Sequence, residues 1–268
     1  MSDDFVLTNE NYYSQEANER YMSFHQYLSF VGGMLITGCE AKAMAELKGE
    51  WQDEKTTALM VGSYVDSYFE GTLDKFKEEN PDLFTKQGEL KAPYKQAEKM
   101  IARCEQDDYF MATMSGEKQV IMTANWAGCD WKIKMDSYIP GVAIVDLKTC
   151  ADIHRAWRIA DYGYASFIEA YNYHKQLALY QKIVEINTGK KLPCYISVVT
   201  KNDNPEICVI NIDQQAMDHA LNEIQMNISQ VLKVKNGEMQ PIRCEHCNYC
   251  VATKKLKGAI SMYNLISE

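Results

Sequence analysis

The 268 residues carry 28 Lys and Arg against 37 Asp and Glu, a formal net charge of -9, with 46% apolar and 24% charged residues. This balance is that of a folded globular chain and excludes a collagen-like or disordered one. It also excludes a polycation that coats nucleic acid by overall charge, and leaves room only for a local basic groove. No run of about eighteen apolar residues is present to cross a bilayer. Met1 to Asn11 is acidic and polar where a signal peptide would be basic and then apolar, so a cytoplasmic protein without membrane contact is expected. The length suits one large domain, expected over 1–268.

The first third reads as helical. Tyr21 to Leu35 is rich in aromatic and aliphatic residues, with a break marked by Gly32-Gly33, and EAKAMAEL (Glu40 to Leu47) consists of strong helix formers. Thr56 to Phe76 forms a third helix on which Gly62, Asp66 and Glu70 recur every four residues, near one face. Asn80 to Pro93 is a connection before a helical Tyr94 to Cys104. From Lys118 the period changes to alternating β-branched, aromatic and polar residues around Ala127-Gly128, the pattern of a hairpin. VAIVDLKT follows as a buried strand whose end turns abruptly to charge, after which helices are expected to resume. Tyr171 to Asn187 is a helix stopped by Gly189, CYISVVTK a second apolar strand, and Gln214 to Lys233 an amphipathic helix.

The chemistry-bearing pattern is Asp136, a turn containing Pro140-Gly141, and Asp146-Leu147-Lys148 at a strand end. If the two strands pair around that turn, both carboxylates approach one cation, while the two-residue strand period puts Lys148 on the face of Asp146 and turns Leu147 into the core. Two carboxylates and the carbonyl of Leu147 suit a hard Mg²⁺ or Mn²⁺ ion that keeps several waters. Taken alone, an Asp-x-Lys strand end is far more often the mark of a solvated surface strand. The flanking segments add weight: GSYVDSYFE (Gly62 to Glu70), KIKMD ending at Asp136, VDLKT (Val145 to Thr149) and HKQLALY ending at Tyr180 occur in that order. Gln176 and Tyr180 share a helix face by their spacing, for a site or for plain helix packing.

In this order the segments resemble the PD-(D/E)xK nuclease superfamily, and more closely its RecB-like and RecE-like exonuclease branch. The resemblance implies an α/β fold with a central mixed β-sheet flanked by helices, and hydrolysis of DNA phosphodiesters with Mg²⁺ or Mn²⁺. Its catalytic set is Asp136, Asp146, Lys148, Gln176 and Tyr180, and its metal set is Asp66, Glu117, Asp136, Asp146 and Leu147. Where relatives place a histidine four residues after the glycine of the first motif, this chain has Asp66. The resemblance further implies exonucleolytic resection of linear duplex or single-strand ends in phage or prophage recombination. A single-strand annealing protein and a homo-oligomer are partners of that kind. The acidic charge and Asp66 leave open a DNA-binding or assembly module on an altered nuclease fold, and a structure-specific endonuclease is a third reading.

Nine cysteines, an odd number, point to metal ligation or burial rather than to disulfides. Cys244, Cys247 and Cys250 are spaced Cys-x-x-Cys-x-x-Cys, so that one loop brings three thiolates to a metal or iron-sulfur cluster. Several RecB-like nucleases resemble this arrangement, with one cysteine before the core, here Cys39, and hold a [4Fe-4S] cluster; Zn²⁺, with His246 as a further ligand, is the alternative. A clamp between N-terminal helices (1–104) and the cysteine-bearing segment (240–268) is thereby implied. Arg155 and Arg158 flank Trp157 and suit DNA by charge and stacking. Lys254, Lys255 and Lys257, and Lys190-Lys191, suit phosphates or a solvated face.

Overall fold

The computed structural model describes residues 5–160, 162–256, 258–259 and 261–265; Lys257 lies outside them. Among the described residues, seven α-helices come first: α1 (Gln15–Arg20), α2 (Phe24–Val31), α3 (Glu40–Leu47), α4 (Thr57–Phe69), α5 (Leu73–Glu79), α6 (Ala92–Glu105) and α7 (Asp108–Thr113). Strands β1 (Val120–Trp126), β2 (Cys129–Met135), β3 (Ser137–Ile139) and β4 (Ala143–Cys150) follow. Then come β5 (Trp157–Ile159), β6 (Gly163–Ala165), α8 (Phe167–Ala170), α9 (Tyr173–Thr188), β7 (Cys194–Thr200), β8 (Ile207–Asn211), α10 (Gln214–Lys235) and α11 (Asn248–Ala252).

The central sheet has the order β3-β4-β7-β8. Strand β4 is antiparallel to β3, parallel to β7, and β7 is antiparallel to β8, so the sheet is mixed. The parallel pair needs a long crossover, and α9 lies within it. Five successive buried residues in β4 reflect cover on both faces. Ala143, Val145 and Leu147 point toward the layer of α4 and α6, in one cluster with Val61, Tyr64, Val65 and Met100. Ile144 points the other way, with Leu177, Ala178 and Ile183 of α9 and Ile224 and Ile228 of α10. Each Val or Leu side chain so enclosed contributes roughly 1.5–3 kcal/mol.

The hairpin β1–β2 forms where alternation requires it, turning through Ala127 (φ 52°) and Gly128 (φ 76°), two successive positive φ values that match the strand twist. Its inward residues Trp131, Ile133 and Met135 are fully buried.

Two local expectations change, and one helix is added. The helix expected from Thr56 to Phe76 is two helices, because Gly71 adopts φ 75° and turns the chain between α4 and α5. Helix α7, capped by Asp107, falls in a stretch without clear periodicity. Its end is pinned through buried hydroxyls: Ser137 Oγ donates to the Thr113 carbonyl (2.8 Å), and Thr113 Oγ1 pairs with Ser197 Oγ (2.7 Å). Immediately after β4 the chain forms the short hairpin β5–β6 rather than resuming helix. No helix among the described residues is long and apolar enough to cross a membrane.

Candidate active site and cysteine cluster

At the C-terminal end of β4 the two helical layers part and leave a cleft of about 910 Å³. The strand period places Asp146 and Lys148 on the α9 face, and Leu147 is 3% exposed on the α4 side. Asp136 stands between β2 and β3, opposite that strand end, and its Oδ2 accepts a hydrogen bond from the Leu147 amide (2.8 Å). Asp146 is 3% exposed. Its Oδ1 accepts from Gln176 Nε2 (3.0 Å), and its Oδ2 is ion-paired with the Lys148 ammonium. Tyr180, one turn beyond Gln176, lines the same cleft, as does Asp66 on α4. Gly62 brings α4 against β4, since a Cβ there would meet Thr149 Oγ1 at 3.2 Å.

Charge is concentrated here. Burial and the Asp146 carboxylate push Asp136 up to about 6, against Lys148 and the Leu147 amide. Burial, then Asp136, hold Asp66 well above the carboxylate range. Burial opposes the charge on Lys148, but Asp146 and Asp136 outweigh it and hold the ammonium protonated. The Tyr180 phenol is raised by burial and by the same two aspartates. Mutually repelling carboxylates of this kind favour a bound cation. Asp146 Oδ2 is buried with no aligned hydrogen bond, so it retains lone-pair capacity for an ion beside its contact with Lys148. The donors are all oxygens, as Mg²⁺ or Mn²⁺ requires.

The second cluster joins the ends of the chain. Cys39, Cys244, Cys247 and Cys250 have all four Sγ atoms within 4.8 Å of one another. They are the one such set of three or more metal-capable side chains among the described residues. Cys39 caps α3, accepting from the Lys42 amide (3.4 Å), and Cys247 caps α11. The segments are tied by Ala41 N to the Ile242 carbonyl (3.0 Å) and by Ile242 N to Glu40 Oε2 (2.8 Å). Burial works against ionisation at Cys244, but the amides of His246 and Cys247 and neighbouring thiols bring it down to about 6. Burial and neighbouring thiols push Cys247 up to about 12.

Residues 23–253 match the model of the family described as a PDDEXK-like domain of unknown function, DUF3799. The chain belongs to this family. The crystal structure of a candidate exonuclease from Eubacterium rectale is similar at 53% identity and a TM-score of 0.95, over 97% of this chain and 98% of that one. The structure of SSO0001 is matched at 16% identity and a TM-score of 0.29, over 79% of this chain and 92% of that one, too distant to carry an argument. No curated protein matches.

In this PDDEXK-like chain the structure brings together Asp66, Asp136, Asp146, Leu147, Lys148, Gln176 and Tyr180. Glu117 is not among them. Its backbone is bridged to Tyr138 in both directions, and it is exposed and absent from the cleft lining; the further acids of that lining are Glu46 on α3, Glu70 at the C-terminal cap of α4, and Asp152. Arg155 lines the cleft and stacks on Trp157 (3.8 Å to the ring centre), whereas Arg158, one strand residue further, faces away from it. Lys254 and Lys255 are exposed beyond α11 and do not reach the lining. Lys191 is paired with Asp218 at 2.8 Å, and His246 is exposed outside the cysteine set.

Several lining residues escaped sequence reasoning. Lys134 precedes Asp136 by one strand period, a usable signal, and sits over the Tyr13 ring (4.6 Å). Lys201 follows β7 and donates to the Ala58 carbonyl (2.8 Å). Tyr171 and Tyr173 extend Trp157, already expected to stack on DNA, into a contiguous aromatic wall that ends under Lys148 (5.0 Å to the Tyr173 ring).

Proposed function

We propose that this chain is a metal-dependent deoxyribonuclease, acting as one nuclease domain and degrading DNA from an end as the RecE-like exonucleases do. One observation carries the reading: Asp136, Asp146 and Lys148 are wired to one strand end by the Leu147 amide and by Gln176. An Mg²⁺ or Mn²⁺ ion held by Asp136 and Asp146, with Asp66 beside them, would supply a polarised water and a Lewis acid for phosphodiester hydrolysis. The protonated Lys148 offsets charge developing on the phosphate and orients its oxygens. Gln176 fixes the Asp146 carboxylate, and Tyr180 closes the base of the site. Lys134, Lys201 and Arg155 supply the local positive charge missing from the net balance, and the aromatic wall offers stacking surfaces to bases. End-directed cutting is supported by the similarity to a candidate exonuclease. The place in phage-type recombination, with an annealing partner, rests on the motif resemblance.

The test is incubation with linear and covalently closed circular DNA in Mg²⁺ or Mn²⁺. Loss of the linear substrate alone is expected, with Asp146→Ala and Lys148→Ala inactive. Cutting of closed circles would replace the reading with an endonuclease. Activity retained in Asp146→Ala would remove the site assignment.

A further inference from the structure

The cysteine cluster has a size as well as a composition. Zn–S bonds are about 2.3 Å, so a tetrahedral Zn(Cys)₄ site sets its sulfurs about 3.8 Å apart. In a [4Fe-4S] cube each thiolate sits on a different iron and is carried outward by a further Fe–S bond, which spreads the four sulfurs to on the order of 6 Å. Here Cys39 Sγ lies 3.5 Å from Cys250 Sγ, Cys244 Sγ lies 4.0 Å from Cys250 Sγ, and no pair exceeds 4.8 Å. These separations exceed a disulfide and fall short of a cube, but they match a single tetrahedral ion.

The surroundings agree. Backbone amides donate to three of the sulfurs, from Lys42 to Cys39 (3.4 Å), from Cys247 to Cys244 (3.3 Å) and from Cys250 to Cys247 (3.5 Å). Such outer hydrogen bonds orient thiolates and spread their charge. Cys39 and Cys250 are buried, and the Arg243 guanidinium holds the Cys250 carbonyl (2.7 Å) and lies over the Tyr249 ring (5.5 Å).

We infer that Cys39, Cys244, Cys247 and Cys250 hold one tetrahedral Zn²⁺ ion in place of the iron-sulfur cluster suggested by the RecB-like resemblance. With four protein ligands the ion has no open position, which makes it structural. It cross-links α3 to a segment about 200 residues later in the chain. Helix α3 contributes Ala43, Glu46 and Leu47 to the cleft wall, so the ion supports one side of the cleft without entering it.

The full chain, produced with iron and zinc both supplied and purified without oxygen, is assayed for zinc, iron and acid-labile sulfide. One zinc per chain, no sulfide and no visible colour are expected. Exchange of zinc for Co²⁺ is expected to give the intense visible bands of a tetrahedral thiolate site. Cys250→Ser should lose the metal, while Cys208→Ser, outside the cluster, keeps it. Should Cys250→Ser fail to fold, the stoichiometry and cobalt spectrum of the unaltered chain decide the matter. Four irons with matching sulfide, a single iron, or a metal-free folded chain would each overturn the inference. The readout is independent of the nuclease proposal, because Asp146→Asn should retain its zinc whatever it does to DNA.

Discussion

Replacing Asp136 by Asn tests the electrostatics of the cleft directly. The Asn side chain keeps an acceptor for the Leu147 amide and removes one negative charge beside Asp146. In the folded chain Asp136 ionises at about 6 rather than at its ordinary 3.8, mainly because it is buried and faces Asp146. A raised carboxylate contributes stability that is fully present below the ordinary value and lost as pH climbs through the folded one. Without metal the native chain should therefore lose ground to the Asn variant between about pH 4 and pH 6. At about 1.4 kcal/mol per pH unit the upper bound is on the order of 3 kcal/mol. Solvent in the open cleft reduces it to about 1–2 kcal/mol. For a chain of this size that corresponds to roughly 3–6 °C in Tm. Thermal unfolding with chelator at pH 7.5 should show Asp136→Asn melting higher than the native chain, and the gap should close near pH 4. Added Mn²⁺ should then raise the Tm of the native chain and leave the variant nearly unchanged. Equal melting of the two proteins at pH 7.5, or an undiminished Mn²⁺ response in the variant, would refute the picture of carboxylates gathered for a cation.

Gln176→Leu removes the donor that fixes Asp146 Oδ1; steady-state assays should show the rate of DNA hydrolysis falling roughly 10–100-fold with little change in KM. At Gly33 a Cβ would stand 2.0 Å from Asn172 Nδ2, so Gly33→Ala should cost roughly 1–3 kcal/mol in denaturant unfolding. Asn172→Gly, which tolerates the local φ of 62°, should restore part of that loss in the double variant. Lys132 is 1% exposed, and burial brings it down to about 8. The unfolded chain therefore binds more protons between pH 8 and the ordinary 10.5, and stability should rise with pH across that window. Lys132→Met should flatten the rise when Tm is followed from pH 8 to 10.

The reacting strand was legible because its signals are local. Alternation in β2, the turn at Pro140-Gly141 and the apolar run ending in Asp146-Leu147-Lys148 together force two strands to pair and fix which side chains share a face. Gln176 and Tyr180 were legible through helical spacing. Glu117 came in only through the motif resemblance, with no residue period to fix its place; its backbone is bridged to Tyr138 and it does not join the cleft lining. Helix α7 and the hairpin β5–β6 lacked a periodic signal. Helix α7 is held by buried hydroxyl contacts from β3 and β7, distant in the chain, that no local window contains.

By itself, then, the amino-acid order determined most of the separate helices and strands, the β4 motif and the three-cysteine loop, each a matter of residue period or spacing within about fifteen positions, while the central mixed sheet was implied by the motif resemblance. The resemblance named Cys39 as the partner of that loop, and only the tertiary structure decided that the two meet across more than 200 residues with the four sulfurs close to the dimensions of a single ion. It likewise decided that Lys134, Lys201 and Arg155 gather around the acidic centre of a chain with net charge -9. Packing of separate layers brings such groups together, and neither residue period nor net charge encodes which surfaces will face one another.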